Sequence, residues 1–307
     1  MKVSIIIVTR NRANMLNKTL LAFDDLKIPH GLIVELLIVD NGSTDNTAKV
    51  VKSHVFKLFD VKYFFEAKLG KSNGLNHGLA QCTGNIILFT DDDVRPPINW
   101  IDDMCDPIVS KNALVVAGGI KIAPNLIRPW MTAMHRCWLA STEWLTPGFP
   151  ESLVGANMAI SSKVLKTVSG FDPELGGGGL GFCEDVLFAS QLMAAGYQFV
   201  DRLNVCIEHH FDTYRLTRCC WLKSAKRRGR SHAYLGHHWN HWRCRWGWSR
   251  QLVAQSKLIA WRLKHSHEIQ IEGCHEEELN LVYQNSLIKS HFKISKTPHK
   301  YNINTTV

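Results

Sequence analysis

The chain begins with two apolar runs separated by a segment of helical periodicity. Residues 3–8 and 34–39 are rich in β-branched and other apolar side chains, which is typical of strands buried on both faces of a parallel sheet. Apolar residues between the two runs recur at intervals of three and four, at Ala13, Leu16, Leu20 and Phe23. Because this spacing forms one face of a helix, the pattern predicts a strand, a helix and a second strand.

The same alternation continues to residue 117. The further elements it predicts are a helix through Val50, Val51 and Val55, a strand at Phe64 and Phe65, a helix over 71–80, a strand over 86–90, a helix over 100–108 and a strand over 114–117. Strands that alternate with helices in this way predict one mostly parallel sheet with helices on both faces. The predicted fold class is therefore α/β, with a single Rossmann-like sheet.

Three consecutive carboxylates follow the predicted strand that ends at Thr90. Asp91, Asp92 and Asp93 precede Pro96 and Pro97, which prevent the strand from continuing. The acids therefore lie at the carboxyl end of a strand, the edge at which open α/β sheets bind ligands. Because adjacent carboxylates repel one another, we expect them to share a positive charge, for which Mg²⁺ or Mn²⁺ is the main candidate. An acidic turn without a ligand is the alternative.

Polar side chains also follow the first two predicted strands. Asp40 ends the second strand, where it can accept hydrogen bonds from a nucleotide base or ribose. Thr9, Arg10 and Arg12 end the first strand and can face phosphates. No Gly-x-Gly-x-x-Gly motif follows that strand, and the residues before Gly70-Lys71-Ser72 lack the earlier glycine of a phosphate-binding loop. These two absences argue against a dinucleotide-binding dehydrogenase and against a P-loop protein.

A second group of polar residues follows a glycine-rich segment. Glycines at 176–179 and 181 predict a loop that closes over a substrate, with a solvated connector as the alternative. Glu184 and Asp185 then open a predicted helix, where they are either catalytic acids or first-turn charges that favour the helix dipole. His209 and His210 end a strand-like stretch over 204–208.

Five motifs, in order and spacing, resemble those of glycosyltransferase family 2 over roughly residues 1–235. They are residues 8–12, residues 39–45, Gly70-Lys71-Ser72 with Asn76 and Gly78, residues 89–93 and residues 182–186. The resemblance implies the type A fold and an inverting, metal-dependent transferase that uses a nucleotide-diphospho-sugar. By position, Asp40 is expected to contact the base, Asp91 the ribose side, and Asp93 the metal ion that bridges the diphosphate.

The resemblance also implies roles for the remaining residues. Asp185 is expected to be the base and Glu184 to position the acceptor. A histidine ligand for the metal is expected at the end of the 204–208 strand, and we prefer His209 to His210, because only one of them can face the site. Asp91 is expected to join Asp93 as a metal ligand. The other predicted donor contacts are Thr9, Arg10, Arg12, Asp45, Lys71, Asp92 and Asn157.

One departure from the family pattern concerns the predicted helix that begins near Lys71. Many members have Ala-Arg-Asn where this chain has Gly74-Leu75-Asn76, so we expect Lys71 to take over the contact made by that arginine. The predicted reaction transfers a sugar to a hydroxyl of a polysaccharide, glycolipid or lipid-linked glycan, as in cell-envelope polysaccharide synthesis. The alternative is a non-catalytic member that binds a nucleotide sugar or a glycan.

The net charge of +9 is concentrated in one segment. Residues 213–267 contain thirteen Lys and Arg and no Asp or Glu, and six of the ten tryptophans lie between 221 and 261. We therefore divide the chain into a catalytic domain (1–212), a basic, Trp-rich helical extension (213–267) and a polar tail (268–307). In the helix predicted over 249–264, Leu252, Ile259 and Leu263 lie beside basic residues, which favours an anionic membrane surface as partner. RNA is the alternative, but no recognition module is visible, so we expect no nucleic acid.

The expected location is cytoplasmic, with peripheral association at the inner face of the cell membrane. No apolar run reaches the roughly 18 residues that would span a bilayer, and the apolar start is too short for a signal peptide. The nine cysteines include no Cys-x-x-Cys pair, which argues for reduced thiols instead of disulfides or a zinc site.

Overall fold

The computed structural model describes residues 1–147, 152–243, 247–266 and 270–302. Within these ranges the chain forms an eight-stranded sheet with the order β3-β2-β1-β4-β7-β6-β8-β5. The strands are β1 Lys2–Thr9, β2 Ile33–Asp40, β3 Asp60–Phe65, β4 Ile86–Asp91, β5 Val94–Arg95, β6 Val115–Ile122, β7 Asn157–Ser161 and β8 Phe199–His209. The α-helices are α1 Ala13–Phe23, α2 Thr47–Ser53, α3 Lys71–Gln81, α4 Trp100–Lys111, α5 Ala133–Trp138, α6 Glu184–Ala194, α7 Arg218–Tyr234, α8 Gly247–Lys264 and α9 Glu276–Ile294.

The pairing of the strands places the predicted polar residues at one edge. β1 pairs in parallel with β2 and β4, and β2 pairs in parallel with β3. In this register Thr9 lies opposite Asp40, and Val8 lies opposite Asp91, so the three carboxyl ends meet. β7 runs antiparallel to both β4 and β6. The predicted α/β fold with a mostly parallel sheet is confirmed.

Apolar residues on the two faces of the sheet form two separate cores. On one face, Ile5 and Ile7 of β1 pack with the buried face predicted for α1 and with Trp100 of α4. On the other face, Ile6 packs with α3 and with Phe188 of α6. Since successive side chains of a strand point to opposite faces, one apolar run supplies both cores. Helix α2 ends at Ser53, so the predicted position Val55 lies beyond it and is exposed.

The helices after β8 pack against the sheet domain and against one another. A buried cluster joins Ile122 and Phe211, at the ends of β6 and β8, to Trp221 of α7 and Leu279 of α9. The sheet domain and the helical extension, which the predicted boundary between 212 and 213 separates, therefore share this buried cluster. Among the described residues, no helix has both the length and the apolarity of a membrane span.

The C-terminal part of the chain contains more structure than the predicted polar tail. Helix α9 lies within residues 268–307 and packs between α7 and α8. It buries three residues, Glu278, Leu279 and Val282, and one of these is charged. Such a narrow stripe leaves little apolar periodicity for a sequence pattern to detect. The predicted boundary between 267 and 268 lies outside the described residues.

Candidate active site

The candidate site is a cleft at the carboxyl edge of the sheet. The ends of β1, β2 and β4 face the first turns of α3 and α6 and the end of β8. Lys71, the first residue of α3, contacts both Asp91 and Glu184 across this cleft. At the end of β8, His209 lies against Asp93. The structure thus brings together residues from both halves of the predicted site.

The three adjacent carboxylates share positive charge from two side chains. Lys71 Nζ lies 2.7 Å from Asp91 Oδ1. Arg12 pairs with Asp92 through Nη1 and with Asp93 through Nη2, the latter at 2.9 Å from Oδ2. Burial opposes the charge of Arg12, but Asp92 and Asp93 outweigh it and raise the pKa of the guanidinium. Burial and the neighbouring Asp93 raise the pKa of Asp92 to about 6, although Arg12 opposes this rise.

Asp92 holds the turn between β1 and α1 in place. Its Oδ2 accepts a hydrogen bond of 2.7 Å from Thr9 Oγ1, and its main-chain carbonyl accepts one of 2.6 Å from Thr19 Oγ1. Both Asp92 and Thr9 are buried. Two predicted donor contacts are therefore bonded to the protein and not directed into the cleft, whereas Arg10 is exposed. Arg12 lies between the buried acids and solvent.

The acids after β2 differ in their surroundings. Asp40 is buried at the strand end, where Oδ1 accepts a hydrogen bond from the Ser43 amide and Oδ2 accepts one from the Tyr63 hydroxyl, both of 2.8 Å. Asp45 accepts bonds from the amides of Ala13 and Thr47, the first residues of α1 and α2. Asp45 thus links the N-termini of α1 and α2, which is a structural role for this residue of the motif. Sequence reasoning missed Tyr63, whose hydroxyl bonds to Asp40.

Asn157 does not face the cleft, contrary to its predicted role in donor binding. Its side chain is fully buried where β7 lies beside β4. Oδ1 accepts a 2.9 Å bond from Trp100 Nε1, and Nδ2 donates to the carbonyls of Gly119 and Val205. The amide satisfies polar groups of α4, β6 and β8 inside the core. A buried amide with these bonds is a structural element of the sheet.

The two acids that open α6 have different environments. Glu184 is buried and lies 3.7 Å from Lys71 Nζ. Burial and the charge of Asp185 raise the pKa of Glu184 to about 7, although Lys71 opposes this rise. Asp185 is partly exposed, and its Oδ2 accepts a 3.1 Å bond from the amide of Gly155. Oδ1 of Asp185 accepts a bond from the Val186 amide. The pair thus offers one oriented carboxylate and one carboxyl that is partly protonated near neutral pH.

The glycine-rich segment before α6 docks on the start of α3. The Lys71 amide donates a 2.6 Å bond to the Gly177 carbonyl. Gly176, Gly178 and Gly181 have φ angles of 82°, 88° and 122°, in the region that favours glycine. A Cβ atom at Gly178 would lie 3.1 Å from the backbone of Gly70. The glycines therefore allow a tight packing of this segment beside Lys71.

Asp93 and His209 form the pair that best fits a divalent cation. His209 Nδ1 donates a 2.8 Å bond to the Leu139 carbonyl, so in the neutral imidazole Nε2 carries the lone pair. Nε2 lies 3.3 Å from Asp93 Oδ1, which is buried and has no hydrogen-bond partner. Burial opposes ionisation of Asp93, but the imidazolium form of His209 and the guanidinium of Arg12 outweigh it and hold the pKa of Asp93 below the usual range.

The described residues include no group of three His, Cys, Asp or Glu side chains that converge on one point. Asp93 and His209 would therefore supply two ligands, and a cation that keeps phosphate and water ligands suits such a set. His209 lies beside Asp93, whereas His210 Nε2 contacts Glu208, and the preference for His209 as the metal ligand stays a prediction.

Two arginines near the site were missed by sequence reasoning. Arg215 Nη1 lies 3.5 Å from His209 Nε2, and the described ion pairs do not include it. Burial lowers the pKa of Arg215. Arg228 of α7 lies 4.8 Å from the Trp138 ring and 4.2 Å from the Phe182 ring, next to the start of α6. Both arginines lie in the basic segment. Because that segment contains thirteen Lys and Arg, its sequence did not indicate which of them lie near the site.

Two curated relatives of this chain are glycosyltransferases by name. An uncharacterized glycosyltransferase of Nostoc sp. is 35% identical over 99 residues, which cover 32% of this chain and 30% of that protein. The pre-mycofactocin glycosyltransferase of Mycobacterium tuberculosis is 26% identical over 204 residues, which cover 63% of this chain and 39% of that protein. The chain thus spans less than half the length of either relative.

Two solved structures share the fold of this chain. The mannosyltransferase PcManGT of Pyrobaculum calidifontis, in complex with GDP-Man and Mn²⁺, has a TM-score of 0.60 at 15% identity and covers 95% of this chain and 86% of that one. S. aureus TarS 1-349, in complex with UDP-GlcNAc, has a TM-score of 0.52 at 15% identity, with coverages of 95% and 92%. The likeness shows the predicted type A fold.

The N-terminal half of the chain carries the family signature. A family model described as "Glycosyl transferase family 2" matches residues 4–162, more than half of the 307 residues. This range includes β1, β2, β4 and the three consecutive carboxylates, and the observed cleft lies at their ends. The chain belongs to glycosyl transferase family 2.

Proposed function

We propose that this protein is an inverting glycosyltransferase that moves a sugar from a nucleotide-diphospho-sugar to an acceptor hydroxyl. The observation that carries the proposal is the contact of Lys71 with both Asp91 and Glu184, which joins the predicted donor half of the cleft to α6. The glycosyltransferase names of the relatives support the same class of reaction. We place the catalytic unit in residues 1–212.

The donor lies along the ends of β1, β2 and β4. Asp40 accepts a hydrogen bond from the nucleotide base when this bond replaces the one from Ser43 or from Tyr63. Asp91 faces the ribose side of the donor. Arg12 and Lys71 give the same edge fixed positive charge. Charged donors of this kind form the strongest hydrogen bonds to phosphate oxygens.

The diphosphate lies beside Asp93 and His209. These two residues would hold Mn²⁺ or Mg²⁺, which when bound neutralises the charge that develops on the departing diphosphate. Asp91, the other predicted ligand, instead pairs with Lys71. Arg215 approaches the same point, where burial lowers its pKa and the charge of Asp93 only partly opposes this fall. An anionic ligand there compensates the burial of its charge.

Asp185 is the base in this proposal. In a single displacement the acceptor hydroxyl must lose its proton as its oxygen attacks the anomeric carbon. The Gly155 amide orients the Asp185 carboxylate, which is partly exposed. Glu184, with a pKa near 7, can instead donate a hydrogen bond to an acceptor oxygen and so positions it.

The acceptor is a hydroxyl of a glycan or of a lipid-linked glycan. The basic extension, in which α8 exposes Leu252, Ile259 and Leu263, favours an acceptor at an anionic membrane surface. We therefore propose a cytoplasmic protein that is peripheral on the inner face of the cell membrane. No observation in the cleft favours the alternative of a non-catalytic sugar-binding member.

The test compares two nearly isosteric variants, Asp185→Asn and Glu184→Gln, with Asp102→Asn as control. Asp102 is an exposed acid in the first turn of α4. Donor affinity is measured by calorimetry, and transfer is measured with a competent acceptor found by screening nucleotide sugars with and without Mn²⁺. Asp185→Asn should keep its donor affinity and lose transfer by about 100-fold or more. Glu184→Gln should mainly raise the acceptor KM.

Two outcomes would change the assignment. Wild-type transfer by Asp185→Asn, together with an inactive Glu184→Gln, would exchange the two roles. Wild-type transfer by both variants would make the pair a helix start and place the base elsewhere. Donor binding without transfer to any acceptor, in the wild-type protein, would favour the non-catalytic alternative.

A further inference from the structure

The three C-terminal helices enclose a groove with cationic walls. It has a volume of about 770 Å³ and lies between α7, α8 and α9. Seven exposed cations line it, four from α7, one from α8 and two from α9: Lys223, Lys226, Arg227, Arg230, Arg262, Lys289 and Lys293. No carboxylate is among the described residues that line it. The groove is separate from the cleft at the sheet edge.

The close approach of α7 and α9 concentrates these charges. A Cβ atom at Gly229 would lie 2.6 Å from the carbonyl oxygen of Tyr283 and 2.7 Å from the amide nitrogen of Leu287, so this crossing requires glycine. Lys226 and Arg230 lie on either side of Gly229 in sequence. The described ion pairs include neither of them, whereas Arg218 and Arg262 both pair with the buried Glu278. Since like charges held together destabilise the fold, an anionic ligand is expected to compensate them.

Helix α8 carries an apolar ridge beside the groove. Trp248, Leu252, Ile259 and Leu263 recur along one side of the helix and are 61%, 58%, 59% and 74% exposed. The opposite side buries Ala254 and Trp261. Gln255 and Leu258 of the same helix line the groove. An exposed apolar ridge next to cations is the arrangement of a helix that lies in a membrane interface.

We propose that this groove binds the phosphate headgroups of anionic phospholipids while the α8 ridge enters the bilayer interface. A soluble phosphate or an RNA strand would account for the cations but not for the exposed ridge. The inference rests on the proposed membrane association and names its binding site; it does not depend on the identity of the catalytic base.

The groove helix also contacts the catalytic side of the protein. A Cβ atom at Gly181 would lie 2.9 Å from Cβ of Arg227, and the Phe182 amide donates a 3.2 Å bond to Ser231 Oγ. Helix α7 thus borders both the groove and the glycine-rich segment before Glu184, and Arg227 takes part in both. A bilayer bound at the groove would therefore contact α7, the helix that packs against the glycine-rich segment.

The test measures sedimentation of the full chain with vesicles of phosphatidylcholine alone or mixed equally with phosphatidylglycerol. The groove variant carries Lys226→Gln, Arg230→Gln and Lys289→Gln. A control with the same charge change carries three exposed lysines of the sheet domain as glutamine, Lys18, Lys52 and Lys111. Because each basic residue near an anionic surface contributes about fivefold in affinity, the groove variant should bind the mixed vesicles about 100-fold more weakly. The control should bind nearly as well as the wild type.

A ridge variant, Leu252→Gln with Ile259→Gln, should lose binding to both kinds of vesicle. Equal losses in the groove variant and the control would show that net charge alone matters and would overturn the site. Tighter binding of single-stranded RNA than of mixed vesicles would also overturn it.

If thermal unfolding shows that the triple variant does not fold, the single variant Lys289→Gln replaces it. Its affinity for the mixed vesicles should fall by about fivefold. Nucleotide release from the donor in solution, unchanged in the groove variant, separates this inference from the proposed transfer.

Discussion

Lys71 Nζ lies 3.7 Å from Glu184 Oε1 and so joins the first turn of α3 to the first turn of α6. The same ammonium group lies 2.7 Å from Asp91. Burial opposes its charge, but Asp91 and Glu184 outweigh it and raise the pKa of Lys71. One cation therefore connects the strand that carries the consecutive carboxylates with the helix that carries the proposed base.

The first prediction concerns this cation. Lys71→Met should weaken binding of the donor by about tenfold or more, the scale of one hydrogen bond to a charged group. Lys71→Arg, which keeps the charge, should recover part of the affinity. Lys68→Met, which removes an exposed lysine of the preceding loop, is the matched control. Calorimetry with the nucleoside diphosphate measures all three, and an unchanged affinity in Lys71→Met would remove Lys71 from the donor site.

The second prediction concerns pH and Glu184. Its pKa is about 7 in the folded protein against an ordinary value of 4.5, so the folded state binds this proton more tightly than the unfolded state. Stability from the protonated group is fully present below pH 4.5 and is lost as pH rises through about 7. Glu184→Gln, which cannot ionise, should therefore gain free energy of unfolding relative to the wild type between about pH 5 and pH 8.

Urea unfolding of both proteins at several pH values measures this difference. Asp92, whose pKa is also raised, is present in both proteins, and its contribution cancels in the comparison. A difference in the free energy of unfolding that stays constant with pH would show that Glu184 ionises normally.

The third prediction concerns the metal ligands. Asp93→Ala should abolish the Mn²⁺-dependent part of nucleoside diphosphate binding while the fold persists, because Asp93 Oδ1 is the unpartnered oxygen beside His209. His209→Ala should weaken the same part of the affinity. Asp25→Ala, an exposed acid just after α1, serves as control. Calorimetry with and without Mn²⁺ provides the measurement, and identical metal dependence in wild type and Asp93→Ala would refute the assignment.

The fourth prediction separates structure from binding at Asn157. Its removal in Asn157→Ala leaves the indole N–H of Trp100 and the carbonyls of Gly119 and Val205 without a partner. Each unsatisfied buried group costs about 1–3 kcal/mol, so the free energy of unfolding should fall by roughly 3 kcal/mol or more. Denaturant unfolding measures this loss. A normal stability combined with weak donor binding would instead restore the predicted donor contact.

Local sequence patterns determined most of the architecture. The spacing of Leu16 and Leu20 predicted the buried face of α1, and the apolar run of β1 predicted a strand covered on both sides. Such signals are strong because the repeat of the helix or strand places all the apolar residues of the pattern on the buried side of that element. Helix α9 gave no comparable signal, since it buries few residues in a narrow stripe.

The sequence also determined which residues reach the sheet edge but not which way their side chains face. Asp91, Asp92 and Asp93 are consecutive, yet Asp92 bonds to Thr9 inside the protein while Asp91 contacts Lys71 across the cleft. A motif fixes residue type and position along the chain. The hydrogen-bond partners that turn a side chain inward come from segments distant in sequence, so only the tertiary structure decides them.

The same division applies to the basic extension. Its excess of Lys and Arg was evident from the sequence, and so was the apolar side of α8. The tertiary structure decided that Arg228 stacks near the start of α6, that Arg215 reaches His209 and that Lys226 lines a groove with α9. Charge is a property of composition, whereas the place where a charge acts depends on helix packing, which here follows from the close crossing at Gly229.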